Sequence, residues 1–274
     1  MFLAVDVGNT QTTLGLFDKK GEVTKQWRMA TDSTDTADEL HQRLFGYFQM
    51  LGLELDTVTD VAVASVVPIL SLSWQRVVRS VLGTDPLMVS AARDCDIEVR
   101  MPNPREVGAD RIANALAARE TYGSPVIVVD FGTATNIDVV DADGAFRGGA
   151  IMPGLRLSAG SLFSKAAKLA SVPLEVPPHA LGETTEHAVQ SGIVLGTAAQ
   201  AEGLVARIRA ELDAEAEAAG KKPVRATVVA TGGLAGTIAK ATDLFDEIDP
   251  DLTIRGIYAI WQHRARKRAA RGLA

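Results

Sequence analysis

A hairpin motif that occurs twice constrains the fold of this chain more than any other feature. Residues 2–23 read FLAVDVGNTQTTLGLFDKKGEV, and residues 126–146 read VIVVDFGTATNIDVVDADGAF. In each copy an apolar strand ends in Asp-x-Gly, a turn rich in Thr and Asn follows, and an alternating second strand leads to another polar turn. Asp6 in the first copy corresponds to Asp130 in the second. The repeat predicts a chain built from two duplicated halves.

Two such turns predict a clamp for the phosphates of a nucleotide. Gly8 and Gly132 let the backbone approach an anion closely, while turn N–H groups and Thr or Asn side chains donate to phosphate oxygens. The carboxylate at each strand end, Asp6 or Asp130, can hold a cation or its bound water beside those phosphates. We therefore expect an enzyme that uses a nucleotide, with the two hairpins facing each other across a cleft.

A third glycine-bearing strand end lies in the second half, where residues 230–236 read ATGGLAG. This segment lacks an aspartate, and its paired glycines, Gly232 and Gly233, open a predicted helix. Such a turn suits the close approach of a flat base or a ribose better than the clamping of phosphates. One strand–Gly–turn segment is common in proteins, but three of them in one chain indicate a nucleotide site.

The order of the predicted elements favours an α/β fold. Each half begins with consecutive strands and continues with alternating helices and strands, which is typical of a mixed sheet with helices packed on it. A chain of 274 residues is long enough for two domains of roughly 100–150 residues each. We place the predicted boundary in or just after a helix expected over 108–123, and we assign residues 1–118 to an N-terminal domain and residues 119–274 to a C-terminal domain.

Composition narrows the classes of partner. Apolar residues make up 47% of the chain and charged residues 23%, as in an ordinary globular protein. The net charge of −6 argues against a protein that coats nucleic acid, and no apolar run reaches the roughly 18–20 residues of a membrane span. The single cysteine, Cys95, fits a reducing compartment. We expect a cytoplasmic protein that binds small molecules, with no nucleic acid and no membrane among its partners.

The segment around Asp110 has two open interpretations. It reads EVGADR over residues 106–111, begins a predicted helix and follows a Pro-x-Pro loop. Asp110 could accept the proton of a nucleophile, which is a recurrent role of aspartate in phosphoryl transfer. It could equally be a carboxylate that stabilises the N-terminus of the helix, with Arg111 as a surface cation.

The order of these strings resembles that of the type III pantothenate kinases. The matching strings are DVGNT, SVVP, NPREVGADR, VVDFGTAT, GGAIMPG, QSG and ATGG. That family belongs to the acetate and sugar kinase, heat-shock chaperone and actin superfamily, so the resemblance implies two duplicated ribonuclease-H-like (actin-like ATPase) domains with a cleft between them. It also implies ATP-dependent phosphorylation of the primary hydroxyl of pantothenate to 4′-phosphopantothenate, the first step of coenzyme A biosynthesis.

The resemblance further implies roles for individual residues. The catalytic base falls on Asp110, Mg²⁺ accompanies ATP near Asp6 through water, and a monovalent cation, K⁺ or NH₄⁺, lies at Asp130. Family members are typically homodimers whose subunit interface completes the substrate pocket, so a homodimer is expected. The residues implied for ATP and its phosphates are Asp6, Gly8, Asn9, Thr10, Gly132, Thr133, Ala134, Gly232 and Gly233. The residues implied for pantothenate are Met101, Gly108, Ala109, Arg111 and Thr185.

Three places depart from the family pattern. Residues 90–99 read SAARDCDIEV where a glycine-rich segment is usual, Met101 stands where an aromatic residue is usual, and Asn136 stands where a threonine is usual. The first two lie on the acceptor side, and a flexible Met can fill the same apolar space as an aromatic ring. Two alternatives therefore stay open: a kinase of another small alcohol or acid on the same scaffold, or a nucleotide-binding regulator with weak turnover.

Overall fold

The chain divides into two compact units of similar size. The computed structural model describes residues 1–93, 95–166 and 169–272. Unit 1 comprises Met1–Ile97, Pro102–Ala117 and Leu252–Ala274, and unit 2 comprises Glu98–Met101 and Ala118–Asp251. The domains expected from the sequence, 1–118 and 119–274, differ from this division chiefly at the C-terminal end, since residues 252–274 group with unit 1.

Unit 1 contains a mixed sheet whose central strand carries the first repeat. Its strands are β1 (Phe2–Val7), β2 (Gln11–Phe17), β3 (Val23–Ala30), β4 (Asp60–Ser65) and β5 (Leu87–Met88). They lie in the order β3-β2-β1-β4-β5, and β1 pairs antiparallel with β2 and parallel with β4. The buried side chains of β1 make it a core strand, as its apolar sequence predicts.

The helices of unit 1 begin where local sequence signals predict. They are α1 (Ala37–Met50), α2 (Pro68–Leu82), the first part of α3 (Ala109–Tyr122) and α8 (Leu252–Ala270). Thr36 and Glu39 form a capping box at the start of α1, which satisfies backbone groups that would otherwise lack partners. Pro68 occupies the first turn of α2, where a missing N–H costs nothing.

Close contacts explain why α8 belongs to unit 1. A Cβ at Gly15 of β2 would overlap the side chain of Ile254, so glycine lets this helix approach the sheet. The ring of Phe2 packs against Tyr258 and Trp261, with centroids 5.1 and 4.6 Å apart. Long-range packing of this kind leaves no local signal in the sequence, and the predicted boundary therefore missed it.

Unit 2 repeats the topology of unit 1. Its strands are β6 (Val126–Phe131), β7 (Ala134–Val140), β8 (Phe146–Pro153), β9 (Thr227–Thr231) and β10 (Glu247–Ile248). Their order is β10-β9-β6-β7-β8, so β6 takes the place of β1, β7 that of β2 and β8 that of β3. The prediction of two duplicated α/β units is confirmed.

Four α-helices lie wholly within unit 2 among the described residues. They are α4 (Leu155–Lys165), α5 (Thr185–Gln190), α6 (Gly196–Ala218) and the short α7 (Ala235–Ile238). The sequence LRLSAGSLFSKAAKLA over 155–170 predicts a helix that is longer than α4, which ends at Lys165. Residues 167 and 168 lie outside the described residues. The sequence also predicts a helix over about 185–219 with a possible break, and a π-helical segment, Ser191–Leu195, separates α5 from α6. In the described part of the chain, none of the helices combines the length and apolar character needed to cross a membrane.

Candidate functional site

The first predicted phosphate turn connects β1 to β2 in unit 1. Asp6 is half-buried near the end of β1, beside Thr13 of β2 and Ala64 of β4. The Gly8 N–H donates to the Gln11 carbonyl at 3.1 Å, and a Cβ at position 8 would lie 2.9 Å from that oxygen. The turn is therefore too tight for a side chain at this position.

The rest of this turn is exposed and supported from β3. Asn9 and Thr10 are exposed at its tip. The Thr31 N–H donates to the Thr10 carbonyl at 3.0 Å, and the hydroxyls of Thr12 and Thr31 lie 2.8 Å apart. The four residues of unit 1 that are predicted to bind ATP therefore lie together at this turn, and the tip of the turn is open to solvent. They are Asp6, Gly8, Asn9 and Thr10.

The start of α3 holds the predicted catalytic residues of unit 1. The Arg111 N–H donates to Oδ1 of Asp110 at 2.8 Å. Burial raises the pKa of the Asp110 carboxyl above its usual value, and this hydrogen bond and the charge of Arg111 oppose the rise. A Cβ at Gly108 would overlap Oδ1 of Asp110. Gly108 therefore leaves the space that this carboxylate occupies, and Ala109 between them is buried.

Val66 connects the first turn to the start of α3. Its N–H donates to the Val7 carbonyl at 3.0 Å, one residue after Asp6. Its side chain would lie 3.5 Å from a Cβ at Gly108. Unit 1 therefore brings the predicted phosphate residues and the predicted base into one neighbourhood. Sequence reasoning quoted SVVP as a family string but gave Val66 no role.

The second predicted phosphate turn connects β6 to β7 in unit 2 and is one residue shorter. The Gly132 N–H donates to the Ala134 carbonyl at 3.0 Å, and a Cβ at position 132 would lie 3.5 Å from that oxygen, an ordinary contact. Gly132 and Thr133 are exposed, and Ala134 is half-buried. Asp130 pairs with Asn136 across the hairpin.

Two further glycines support the second turn from other segments. The Gly154 N–H donates to the Thr133 carbonyl at 3.1 Å, and a Cβ at Gly154 would lie 2.6 Å from the Gly132 carbonyl oxygen. A Cβ at Gly232 would overlap Oδ1 of Asp130 and lie 2.7 Å from the backbone of Phe131. Gly232 has a φ of +90°, which favours glycine. The phosphate and adenosine motifs of unit 2 are therefore adjacent.

Sequence reasoning missed the part played by Gly154. The string GGAIMPG was quoted for its resemblance to the family, but none of its residues was given a role. The available signal was the Pro153–Gly154 pair directly before a predicted helix. Only the fold shows that this glycine lies against the preceding hairpin.

The remaining predicted residues of unit 2 lie at separate places. Gly233 is exposed next to Gly232. Met101 is half-buried, and its Sδ would lie 3.5 Å from a Cβ at Gly148. Thr185 is exposed as the first residue of α5, where Thr184 is the N-cap and accepts from the His187 N–H at 3.1 Å. Among the described residues, no hydrogen bond or ion pair joins Thr185 to the other predicted site residues of unit 2.

The donors near both turns fit cations that prefer oxygen. Asp6 and Asp130 are half-buried carboxylates at strand ends, and the space around Asp130 would be filled by a Cβ at Gly232. Within the described ranges, no group of three or more His, Cys, Asp or Glu converges as a metal site. Either carboxylate would thus share a cation with phosphate oxygens and water, which is the usual arrangement for Mg²⁺ beside a nucleotide.

Comparison with known proteins identifies the family. The family model described as type III pantothenate kinase matches residues 2–207. Type III pantothenate kinase of Thermomicrobium roseum is 43% identical over 270 residues, covering 98% of this chain and 100% of that protein. That of Moorella thermoacetica is 42% identical over 264 residues, covering 96% and 99%. The chain belongs to the type III pantothenate kinase family.

Membership identifies the chain as a kinase, a transferase of coenzyme A biosynthesis, and kinases of this family use ATP with a divalent metal. Among solved structures, one described as a Baf family transcriptional activator from Campylobacter jejuni superposes with a TM-score of 0.60 at 17% identity. The superposition covers 96% of this chain and 99% of the Campylobacter jejuni chain. At this identity the likeness shows the fold alone, and it agrees with the duplicated α/β architecture.

Proposed function

We propose that this chain transfers the γ-phosphate of ATP to the primary hydroxyl of pantothenate, which yields 4′-phosphopantothenate. The observation that carries the proposal is the environment of Asp110, a carboxylate of raised pKa held by the Arg111 N–H at the start of α3. Between the two interpretations that the sequence left open, this environment favours the base. A carboxylate that only stabilised a helix N-terminus would have its pKa lowered by the helix dipole.

Asp110 accepts the proton of the attacking hydroxyl. Because burial raises the pKa of the Asp110 carboxyl, its carboxylate is a stronger base than that of an exposed aspartate. The Arg111 N–H fixes Oδ1, so Oδ2 is the atom proposed to take the proton. Arg111 offsets negative charge that develops on the transferred group. Gly108 and Ala109 form the backbone against which pantothenate lies.

The ATP side uses exposed turn residues rather than the glycine N–H groups. Gly8 and Gly132 donate their N–H groups within their own turns, so their role is to let the backbone approach the phosphates. The exposed side chains of Asn9, Thr10 and Thr133 are the proposed phosphate donors. Ala134 completes the second turn, and Gly232 and Gly233 leave room for the adenosine.

Two cations complete the proposal. Asp6 holds Mg²⁺ through water, and Asp130 holds K⁺ or NH₄⁺, which their oxygen donors and half-buried positions support. A divalent ion bound to ATP offsets the charge of the phosphates and so eases attack on the γ-phosphorus. Asp6 and Asp130 would hold the cations in fixed positions relative to the phosphates.

The acceptor side is proposed to include Met101 and Thr185. Met101 is half-buried and apolar, which suits the gem-dimethyl part of pantothenate, and Thr185 is exposed and offers a hydroxyl. We propose that Thr185 contributes to a pocket completed in a homodimer. We also propose a cytoplasmic location, which the single free thiol of Cys95 supports.

The direct test is ATP-dependent phosphorylation of pantothenate by the purified protein, with the product identified by mass in K⁺ and then in Na⁺ buffer. We expect phosphopantothenate, formed faster in K⁺. A product without dependence on K⁺ or NH₄⁺ would remove the cation role of Asp130 and leave the reaction intact. ATP binding without product would contradict pantothenate as acceptor, and a panel of small alcohols and acids would then test the alternative that the altered 90–103 segment suggests.

A further inference from the structure

A short segment of the chain, Glu98–Met101, belongs to unit 2 although the residues on either side of it belong to unit 1. It lies beside the first residue of β8, at the edge of the sheet of unit 2. The Phe146 N–H donates to the Glu98 carbonyl at 2.8 Å, and the Arg100 N–H donates to the Phe146 carbonyl at 2.9 Å. These two bonds anchor the 98–101 segment at one residue of the sheet edge.

The side chain of Arg100 joins this segment to the turn between β7 and β8. Its Nη1 donates to Oδ2 of Asp141 and to Oδ2 of Asp143, both at 2.9 Å. Its Nε and Nη2 donate to the two carboxylate oxygens of Glu98 at 3.0 and 3.1 Å. One planar guanidinium thus binds three carboxylates, and two of them belong to the turn.

Asp141 is the fixed member of this cluster. It is buried, and its Oδ1 accepts from the N–H groups of Asp143 at 3.1 Å and Ala145 at 2.9 Å. One oxygen therefore holds the turn, and the other is left to bind Arg100. An ion pair between exposed side chains contributes little, because solvent screens it and both side chains must be ordered. A carboxylate that is already buried and hydrogen-bonded gives Arg100 a better-defined partner.

Met101, the last residue of the segment, directly follows Arg100 and packs against Gly148 of β8. A Cβ at Gly148 would lie 3.5 Å from its Sδ and 3.8 Å from its Cε. A methionine has more rotatable bonds than an aromatic side chain, so its own rotamers do less to fix its position. The position of the Met101 side chain therefore depends on how firmly the backbone at Arg100 is held.

We propose that Arg100 and Asp141 are positioning residues for the acceptor, because their ion pair holds Met101 where it contacts the apolar part of pantothenate. The inference rests on the proposed function for the contact between Met101 and pantothenate. Asp141 follows the last residue of β7, whereas the phosphate turn precedes the first, Ala134. At about 3.3 Å per residue the two ends of this strand are about 20 Å apart. The pair therefore acts on the acceptor and leaves ATP binding unchanged.

The first experiment measures steady-state kinetics of full-length protein carrying Arg100→Met. We expect KM for pantothenate to rise about three- to tenfold, while kcat and KM for ATP stay within about twofold. A merely structural role would lower the thermal midpoint and leave KM for pantothenate unchanged, and that result would overturn the proposal.

Arg147→Met is the matched control. Arg147 also binds Asp141, at 3.5 Å, and it binds Glu215 at 3.0 Å. Its side chain is 33% exposed, close to the 37% of Arg100. Within the part of the chain that the structure describes, none of its hydrogen bonds reaches the 98–101 segment. An equal rise of KM for pantothenate in the two variants would contradict positioning by Arg100.

The second experiment tests the partner with Asp141→Asn. The amide oxygen still accepts from the N–H groups of the turn, but the charge that Arg100 binds is gone. We expect the same rise of KM for pantothenate as in Arg100→Met. A KM equal to that of wild type would remove Asp141 from the proposal.

The third experiment asks whether the pair acts through Met101. In a Met101→Ala background, Arg100→Met should change KM for pantothenate by less than about twofold, because the side chain to be positioned is absent. A further three- to tenfold rise in this background would show that Arg100 acts on the acceptor by another route, and the proposal would fail.

Amide hydrogen exchange of the 98–101 segment separates this inference from the proposed function. If pantothenate is not phosphorylated but the segment exchanges faster in Arg100→Met and not in Arg147→Met, the positioning of Met101 stands and the acceptor is wrong. If pantothenate is phosphorylated and Arg100→Met has the KM of wild type, the function stands and the positioning is wrong.

Discussion

The two units share one sheet order and one turn motif, yet they hold their turns in different ways. In unit 1 the turn at Gly8 is tight in itself, since a Cβ there would meet the Gln11 carbonyl. In unit 2 a Cβ at Gly132 would make only ordinary contacts. The close approaches there are made by two glycines of other segments, Gly154 and Gly232, which lie against the turn and the end of β6. The corresponding glycines of the two repeats therefore have different structural roles.

The surroundings of the two turns differ as well. Beside the turn of unit 1 lies a carboxylate of raised pKa, Asp110, which is connected through Val66. Beside the turn of unit 2 lies Gly232, which is proposed to leave room for the adenosine and at which a Cβ would overlap Asp130. We infer that unit 1 supplies the proton acceptor and unit 2 supplies most of the nucleotide contacts. This division predicts that variants in unit 1 change turnover and variants in unit 2 change nucleotide affinity.

The largest effect is expected from Asp110→Asn. Loss of a general base lowers turnover by about 10²–10⁴-fold, while ADP affinity stays near that of wild type. The measurement is kcat at saturating ATP and pantothenate, together with ADP calorimetry. Asp38→Asn is the matched control, because Asp38 is an exposed carboxylate in the first turn of α1 in the same unit. Similar losses in the two variants would mean that Asp110 only stabilises its helix.

The next largest effect is expected from Gly232→Ala in unit 2. A side chain there would be strained at a φ of +90° and would overlap Asp130 and the backbone of Phe131. Strain of this kind costs about 1–3 kcal/mol, so we expect about a tenfold or greater loss of ADP affinity in calorimetry. Gly236→Ala is the control, because a Cβ at Gly236 would have nothing within 4 Å. Normal ADP affinity in Gly232→Ala would break the division between the units.

Much of this comparison was predictable from the sequence. Both hairpins and the break in the helix over 185–219 follow from local patterns that need no tertiary information. The candidate residues of each turn also lie together, because they are neighbours along the chain. A duplicated motif can be aligned without a structure.

Other features depended on long-range packing. The sequence does not predict β8 as the third strand of its sheet, because two consecutive glycines, Gly148 and Gly149, weaken the strand pattern. Both glycines have positive φ values in the structure. The position of α8 on the sheet of unit 1 depends on Gly15 and Ile254, which are far apart in sequence. The carboxylate of Asp110 has room only because Gly108 lacks a Cβ. No sequence periodicity reports contacts of these kinds.

A smaller effect distinguishes the two turn glycines. Gly8→Ala is expected to lower the free energy of unfolding by about 1–3 kcal/mol, because its Cβ would lie 2.9 Å from the Gln11 carbonyl oxygen. Gly132→Ala meets only ordinary contacts and reduces the freedom of the unfolded chain, so its stability should stay within about 1 kcal/mol of wild type. Urea denaturation of both variants measures the difference. Equal losses would show that the two turns are held alike.

The smallest effect is a gain of stability in Asp110→Asn. Burial raises the folded-state pKa of Asp110 above its unfolded value, so the folded state binds this proton more tightly and the ionised carboxylate destabilises it. That destabilisation is absent below the ordinary aspartate pKa of about 3.9, grows as the pH rises toward the folded value, and is complete above it. The variant, which cannot ionise, should therefore melt above wild type at pH 8, and the gap should shrink as the pH falls. Thermal melts at several pH values measure the gap, with Asp38→Asn again as control. A gap that is absent at pH 8, or that widens in acid, would mean that burial does not disfavour the charge on Asp110, and the strongest reason to assign proton transfer to unit 1 would be lost.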